Sequence, residues 1–219
     1  MYTLYIGNKN YSTWSLRAWV LMKALNIPFA EKRILLYRPE SHARLREVSP
    51  SSRVPCLHDG DVIVWDTLAI AEYLAERHPG VWPADAIARA WARSAAAEMH
   101  SGFARLRDEF GMNVKLRSAK SPSVAVAAEI SRIVELWREG RDRFGHGGDF
   151  LCGAFTAADA FWCPVAFRFQ SYDVALDGTA AAYCRALLAF PAMREWAADA
   201  ANETELIPGL ERGGVQAQR

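Results

Sequence analysis

The consecutive residues Tyr11-Ser12-Thr13-Trp14-Ser15 crowd a phenol, an indole and three hydroxyls between an apolar run, "YTLYIG" at 2–7, and a helical pattern. Hydroxyls in that position can cap the helix by accepting its free amide protons, or one of them can serve a ligand. Further along, "SRVPCL" (52–57) sets Pro55 inside a strand-like run. A proline there cannot donate to a ladder, so it marks a sheet edge, a strand start or a cis bond. Asp66-Thr67 opens a second helical pattern, where either residue can be the N-cap. The four cysteines, Cys56, Cys152, Cys163 and Cys184, are far apart with no C-x-x-C pair. Zinc and dithiol redox chemistry need closer spacing; these thiols read instead as small buried residues in a reducing compartment.

The elements that must position these groups follow from periodicity. "YTLYIG" reads as a strand rich in β-branched and aromatic residues, and "EKRILLY" (31–37) as a second. Between them, residues 14–26 are apolar nearly all round, as in a helix buried against a sheet. This β-α-β unit should have parallel strands. "RPESHARLREVSP" (38–50) is polar, an exposed helix or loop. "VPCLH" and "VIVW" flank Asp59-Gly60, a hairpin signal. "DTLAIAEYLAERH" (66–78) returns to helical spacing. The resulting order, β-α-β-α-β-β-α, is the thioredoxin-type arrangement. "PGVWPADA" (79–86) is the natural linker, which sets an N-terminal domain at 1–80, a connection at 81–86 and a second domain at 87–219. The second domain is expected to be all-α, with helices over 87–110, about 123–144, 156–170 and 179–200, the last interrupted near Pro191. "FTAAD" (155–159) reads as a structural helix start: Thr156 caps, Asp159 reaches back, and Phe155 acts as a hydrophobic staple. The tail "GGVQAQR" reads as a frayed end.

Composition narrows the function classes. The 219 residues are 51% hydrophobic, enough for a sizeable core. Lys+Arg 26 against Asp+Glu 25 leaves no basic excess for a nucleic-acid footprint. No apolar run is long enough to span a bilayer, and the start "MYTLYIGNKN" lacks the features of a signal peptide.

Four segments in order, "SRVPCL", "WDTLAIAEYL", "FTAADAFWCP" and "FPAMREW" (190–196), are similar to motifs of the cytosolic glutathione transferase family. The resemblance covers essentially the whole chain, and the pattern is nearest to bacterial, serine-type members with zeta, omega and theta features. It implies a thioredoxin-like glutathione-binding domain, an all-helical domain, a homodimer in the cytoplasm, and detoxification chemistry with glutathione as co-substrate and no metal. In that frame Asp66 accepts from the γ-glutamyl ammonium, while the Thr67 hydroxyl and helix N-terminus receive its carboxylate. Val54, before Pro55, pairs with the extended cysteinyl backbone. Arg53 and, less directly, His42 are candidates for the glycine carboxylate.

The resemblance also assigns the hydroxyls. A free thiol has a pKa of about 8.5, and the thiolate is the nucleophile. A hydroxyl donating to the sulfur contributes roughly 1.5–3 kcal/mol, which lowers the thiol pKa by about one to two units, and the helix N-terminus adds to it. Alignment on Arg17 and Ile27-Pro28-Phe29 puts that role on Ser12, with Thr13 and Tyr11 as alternatives and pure capping still open. The zeta pattern Ser-Ser-Cys is Ser12-Thr13-Trp14 here, so no zeta substrate follows. Tyr11, Trp14, His100, Phe103, Arg107 and Met112 are expected to line a pocket between the domains, suited to a small hydrophobic or planar, acidic electrophile. A maleylacetoacetate-type isomerase and a non-enzymatic binding module on the same fold are the alternatives to a transferase.

Overall fold

The computed structural model describes residues 1–211. The N-terminal part runs β1 (Tyr2–Ile6), α1 (Thr13–Ala24), β2 (Phe29–Arg33), α2 (Ser41–Val48), β3 (Cys56–Asp59), β4 (Val62–Val64) and α3 (Thr67–Ala75). The sheet has the order β2-β1-β3-β4. β1 and β2 are parallel, with Tyr2 opposite Phe29, and β3 runs antiparallel to both β1 and β4. This is the expected thioredoxin-like order. A helical region follows: α4 (Ala86–Ser101), α5 (Ala104–Glu109), α6 (Val124–Phe144), α7 (Ala157–Tyr172), α8 (Gly178–Ala189), α9 (Pro191–Ala201) and α10 (Pro208–Glu211). The tail "GGVQAQR" lies outside the described residues.

The second strand begins and ends earlier than the expected 31–37, and the reason is local. The Ile34 N–H still bonds the Ile6 carbonyl at 2.8 Å. Leu36 then turns under the loop after β1, donating its N–H to Asn8 Oδ1 at 2.8 Å. The apolar run 34–36 is thus shielded by that loop and is not a ladder segment. Gly7 permits the approach, since a Cβ there would stand 2.6 Å from Leu36 Cδ1. The helix expected over 87–110 is divided. Gly102 closes α4 by donating to the Glu98 carbonyl at 2.8 Å, and Phe103, at φ 58°, starts α5 on a new axis. Pro191 opens α9, as the sequence led one to expect.

α1 is the hinge of the packing. Leu16, Trp19, Val20 and Met22 have no exposed area, and the helix contacts α3, α7 and α9. Trp19 meets Trp196 of α9 edge-on at 5.2 Å and donates Nε1 to Glu31 at 2.7 Å. Removing such a buried indole costs about 3–5 kcal/mol.

α7 is buried along nearly its whole length. Its first turn is the expected capping box: Asp159 Oδ2 accepts from the Thr156 N–H at 2.8 Å and the Thr156 hydroxyl at 3.1 Å. Asp159 Oδ1 takes the Leu151 N–H at 3.0 Å and the Tyr183 hydroxyl at 2.9 Å. Burial pushes this carboxyl up, and the four donors oppose it. Phe155 stacks on Phe190 with centroids 4.4 Å apart, pinning α7 to the start of α9.

No described helix is long and apolar enough to cross a membrane. Among the described residues no group of His, Cys, Asp and Glu is arranged to hold a metal ion.

Candidate functional site

The loop from Asn8 to Ser12 joins β1 to α1. Ser12 is the N-cap of α1 and is 7% exposed. Its Oγ accepts weakly from the Ser15 N–H at 3.4 Å and donates to Ser15 Oγ at 2.7 Å. Ser15 Oγ in turn holds the Gly7 N–H at 3.0 Å. Ser12 therefore does cap, and its proton rests on a neighbour from which it can rotate away. The other two hydroxyls differ. Tyr11 donates to the Glu211 carboxylate of α10, and burial followed by that bond pushes its phenol up. Thr13 has no hydrogen-bonded partner among the described residues. An anion placed at this helix start would meet the free amides of the first turn of α1.

The second part of the site lies across the sheet. The Val54–Pro55 and Trp65–Asp66 peptide bonds are both cis. Val54 is half-buried and precedes β3, outside the ladder. Asp66 caps α3 through Oδ1, 3.2 Å from the Leu68 N–H, and its side chain is 53% exposed. Thr67 is buried, and its Oγ1 has no hydrogen-bond partner among the described residues. Arg53 and His42 are both exposed.

The third part is the seam with the helical region. Trp14 and His100 meet edge-on at 5.1 Å. His100 Nε2 lies 3.5 Å from Asp66 Oδ2. Burial pushes the imidazole below its usual value, Asp66 opposes this, and Arg17 and Arg107 add to the push. The ring is therefore neutral at pH 7, and its contact with Asp66 is not an ion pair there. Arg17 is 1% exposed, with its guanidinium 4.4 Å from the Trp14 ring and 5.1 Å from that of Phe161. None of its three nitrogens has a hydrogen-bond partner among the described residues. Burial and the nearby Arg107 and Arg168 push its pKa well down, yet a guanidinium keeps its proton at neutral pH. Two expected lining residues are otherwise engaged. Arg107 reaches 5.2 Å from the Trp14 ring, but its Nε donates to the Gly102 carbonyl and its Nη2 to the Met99 and His100 carbonyls at the end of α4. Phe103 packs against Trp162 at 5.8 Å and is only 7% exposed, so it belongs to the core. Met112 is likewise buried.

Sequence reasoning missed Lys9, Asn10 and Glu203. The buried Glu203 carboxylate accepts the Lys9 N–H at 2.7 Å and the Asn10 N–H at 3.0 Å. No local motif marks these residues; only the acid in "ANETELIPG", just beyond a helix end, hints at a capping role.

Residues 11–77 match the family model described as "Glutathione S-transferase, N-terminal domain". A Caenorhabditis elegans protein described as a "Probable maleylacetoacetate isomerase" is 35% identical over 108 residues, 48% of this chain and 49% of that protein. A stringent starvation protein A homolog from Haemophilus ducreyi is 23% identical over 134 residues, 60% of this chain and 59% of that one. The matched part thus spans about half, or slightly more, of these curated relatives. Among solved structures, a glutathione transferase homolog from Burkholderia, crystallised with bound glutathione, superposes with TM-score 0.69 at 23% identity, covering 92% of this chain and 98% of that one. Residues 11–77 thus match the N-terminal domain of the glutathione S-transferase family, and the fold of nearly the whole chain is shared with a solved glutathione transferase homolog.

Proposed function

We propose that the protein is a glutathione-dependent transferase, in which the glutathione thiolate attacks a small electrophile held in the seam between the sheet domain and the helices. The observation that carries this reading is the buried Ser12 hydroxyl at the N-terminus of α1, whose proton has only a neighbouring hydroxyl to hold it. On binding, Ser12 Oγ–H turns from Ser15 to the glutathione sulfur, and Ser15 keeps its bond from Gly7. The thiol proton leaves to solvent, and the sulfur anion rests on one hydroxyl and the helix amides. That bond contributes about 1.5–3 kcal/mol, enough to lower the thiol pKa by about one to two units. Arg17, buried and unpaired behind the same helix start, adds positive potential to the seam. Thr13 is the alternative donor.

Asp66 takes the γ-glutamyl ammonium, while Thr67 Oγ1 and the amides of α3 take its carboxylate. Val54 pairs with the cysteinyl backbone, and Arg53, with His42 farther out, faces the glycine carboxylate. The electrophile lies against Trp14, Tyr11 and His100. The protein works as a homodimer in the cytoplasm, in detoxification, divided at 81–86 into its two domains, and needs no metal.

A second reading, glutathione-dependent isomerisation of a maleylacetoacetate-type acid, is supported by the name of the C. elegans relative and by the guanidinium of Arg17, suited to a carboxylate. Ultraviolet absorbance of bound thiolate across pH tests the shared step. Wild type is expected to form thiolate well below pH 8 (about 8.5 for a free thiol), and Ser12→Ala to bind glutathione without forming it. An unchanged thiolate in Ser12→Ala moves the role to Thr13. No glutathione binding at all leaves a binding module. Aryl halides against maleylacetoacetate analogues then separate transfer from isomerisation.

A further inference from the structure

The loop that carries Ser12 is tied to its own domain by the Leu36 N–H on Asn8 Oδ1 at 2.8 Å and by Lys9 Nζ on Glu31 at 2.9 Å, but its backbone at residues 9 and 10 is held from the helical region. Lys9 gives its N–H to Glu203 Oε1 at 2.7 Å, and its carbonyl accepts from Trp196 Nε1 at 2.8 Å. Asn10 gives its N–H to Glu203 Oε2 at 3.0 Å, and its carbonyl accepts from the Val114 N–H at 3.1 Å. The Asn10 side chain takes the Lys115 N–H at 3.0 Å. So both backbone groups of both residues are bonded to the helical region. Asn8, one residue earlier, then fixes the turn by accepting the Tyr11 and Ser12 N–H groups at 3.2 Å and 2.9 Å.

Glu203 is the one side chain that holds two of these amides, and it is itself built in. It is 4% exposed, and Arg33 at the end of β2 bonds its Oε1 at 2.9 Å. Lys115 Nζ fixes its carbonyl at 2.8 Å. A carboxylate accepting two adjacent backbone amides sets the orientation of that peptide. A buried amide left without its acceptor pulls toward any other partner.

We infer that Glu203 is a positioning residue for the thiolate: it aims the Ser12 hydroxyl by fixing the peptides of Lys9 and Asn10, and the thiolate site is incomplete without the helical region. This rests on the transferase reading for the identity of the anion. Glu203 touches neither glutathione nor the electrophile.

The sign of the expected change separates positioning from plain electrostatics. Replacing Glu203 by Gln removes a negative charge from the neighbourhood of the sulfur, which by itself would favour the thiolate and lower the thiol pKa. It also sets an NH2 group against one of two N–H donors, so the loop loses its hold and the pKa should rise.

The experiment measures bound thiolate against pH, glutathione affinity and amide exchange of residues 9–12 in wild type, Glu203→Gln, Glu203→Asp and Arg33→Met. For Glu203→Gln we expect faster exchange at Lys9 and Asn10 with β1 still protected. We also expect a thiol pKa raised by about one unit, which is about tenfold less thiolate below it, and glutathione affinity within about threefold. Glu203→Asp should recover part of the shift. Arg33→Met should lower the melting temperature while leaving the thiol pKa in place. A lowered or unchanged pKa in Glu203→Gln overturns the inference, as does unchanged loop exchange or a pKa rise of equal size in Arg33→Met. If wild type forms no thiolate, the transferase reading fails, and the exchange arm alone decides whether Glu203 holds the loop.

Discussion

The two ends of the candidate glutathione site are built in opposite ways. At the sulfur end, Lys9, Asn10, Ser12 and Ser15 are buried and each is tied into a hydrogen-bond chain. At the peptide end, Arg53 and His42 are exposed, the Asp66 side chain is half in water, and Thr67 Oγ1 is still unpaired among the described residues. The difference follows from what each end has to do. Stabilising a thiolate depends on the direction of one O–H, so the loop must be fixed before the ligand arrives. Holding a flexible, charged tripeptide needs attraction first, and its groups can settle on contact.

Substitutions at the two ends should therefore fail differently. The largest effect is expected at Ser12→Ala, with kcat/KM down about tenfold to a hundredfold, from the loss of roughly 1.5–3 kcal/mol of donation to the sulfur. Loss of the cap adds about 1 kcal/mol to its stability cost. A variant that loses stability but keeps activity would reduce Ser12 to a cap and erase the contrast. Asp66→Asn comes next. Asparagine still caps α3, so stability should hold while the KM for glutathione rises about tenfold, from a lost charged contact. A kcat loss without a KM change would place Asp66 at the wrong end. Arg53→Gln should raise that KM only about twofold to threefold, as befits an exposed charge, and the effect should fade in high salt. His42→Gln should fall below even that.

The smallest effect is on pH and belongs to the seam. The folded His100 imidazole sits below its usual 6.5, so it favours the folded state above that value. That contribution is lost as the pH falls through the lowered folded value. Urea unfolding from pH 5 to 8 should show stability falling on the acid side, with a shallower fall in His100→Gln. An equal slope in both proteins would mean that other groups carry it.

How much of this could be read in the chain depended on sequence distance. The Asp59-Gly60 hairpin, the Thr156–Asp159 box and the Ser12 cap each obey rules that act over two to four residues. Pro55 was legible because proline restricts its own backbone. The second strand was displaced because an apolar run can be buried by a loop as well as by a ladder, and Leu36 chose the loop. Phe103 and Arg107 shared the spacing of pocket residues, yet a left-handed backbone turned one into the core and the end of α4 claimed the other. Glu203 was silent, because nothing within ten residues of it records that its partners are Lys9 and Asn10.

That silence has a consequence for the order in which the molecule is made. The bond from Lys9 to Glu203 spans 194 residues and that from Asn10 spans 193. During synthesis, the loop that carries Ser12 emerges nearly two hundred residues before the carboxylate that orients it. Contacts this distant close late and slowly. A nascent chain halted before residue 203 would carry every residue of the candidate glutathione site, and still lack the acceptor proposed to aim its hydroxyl.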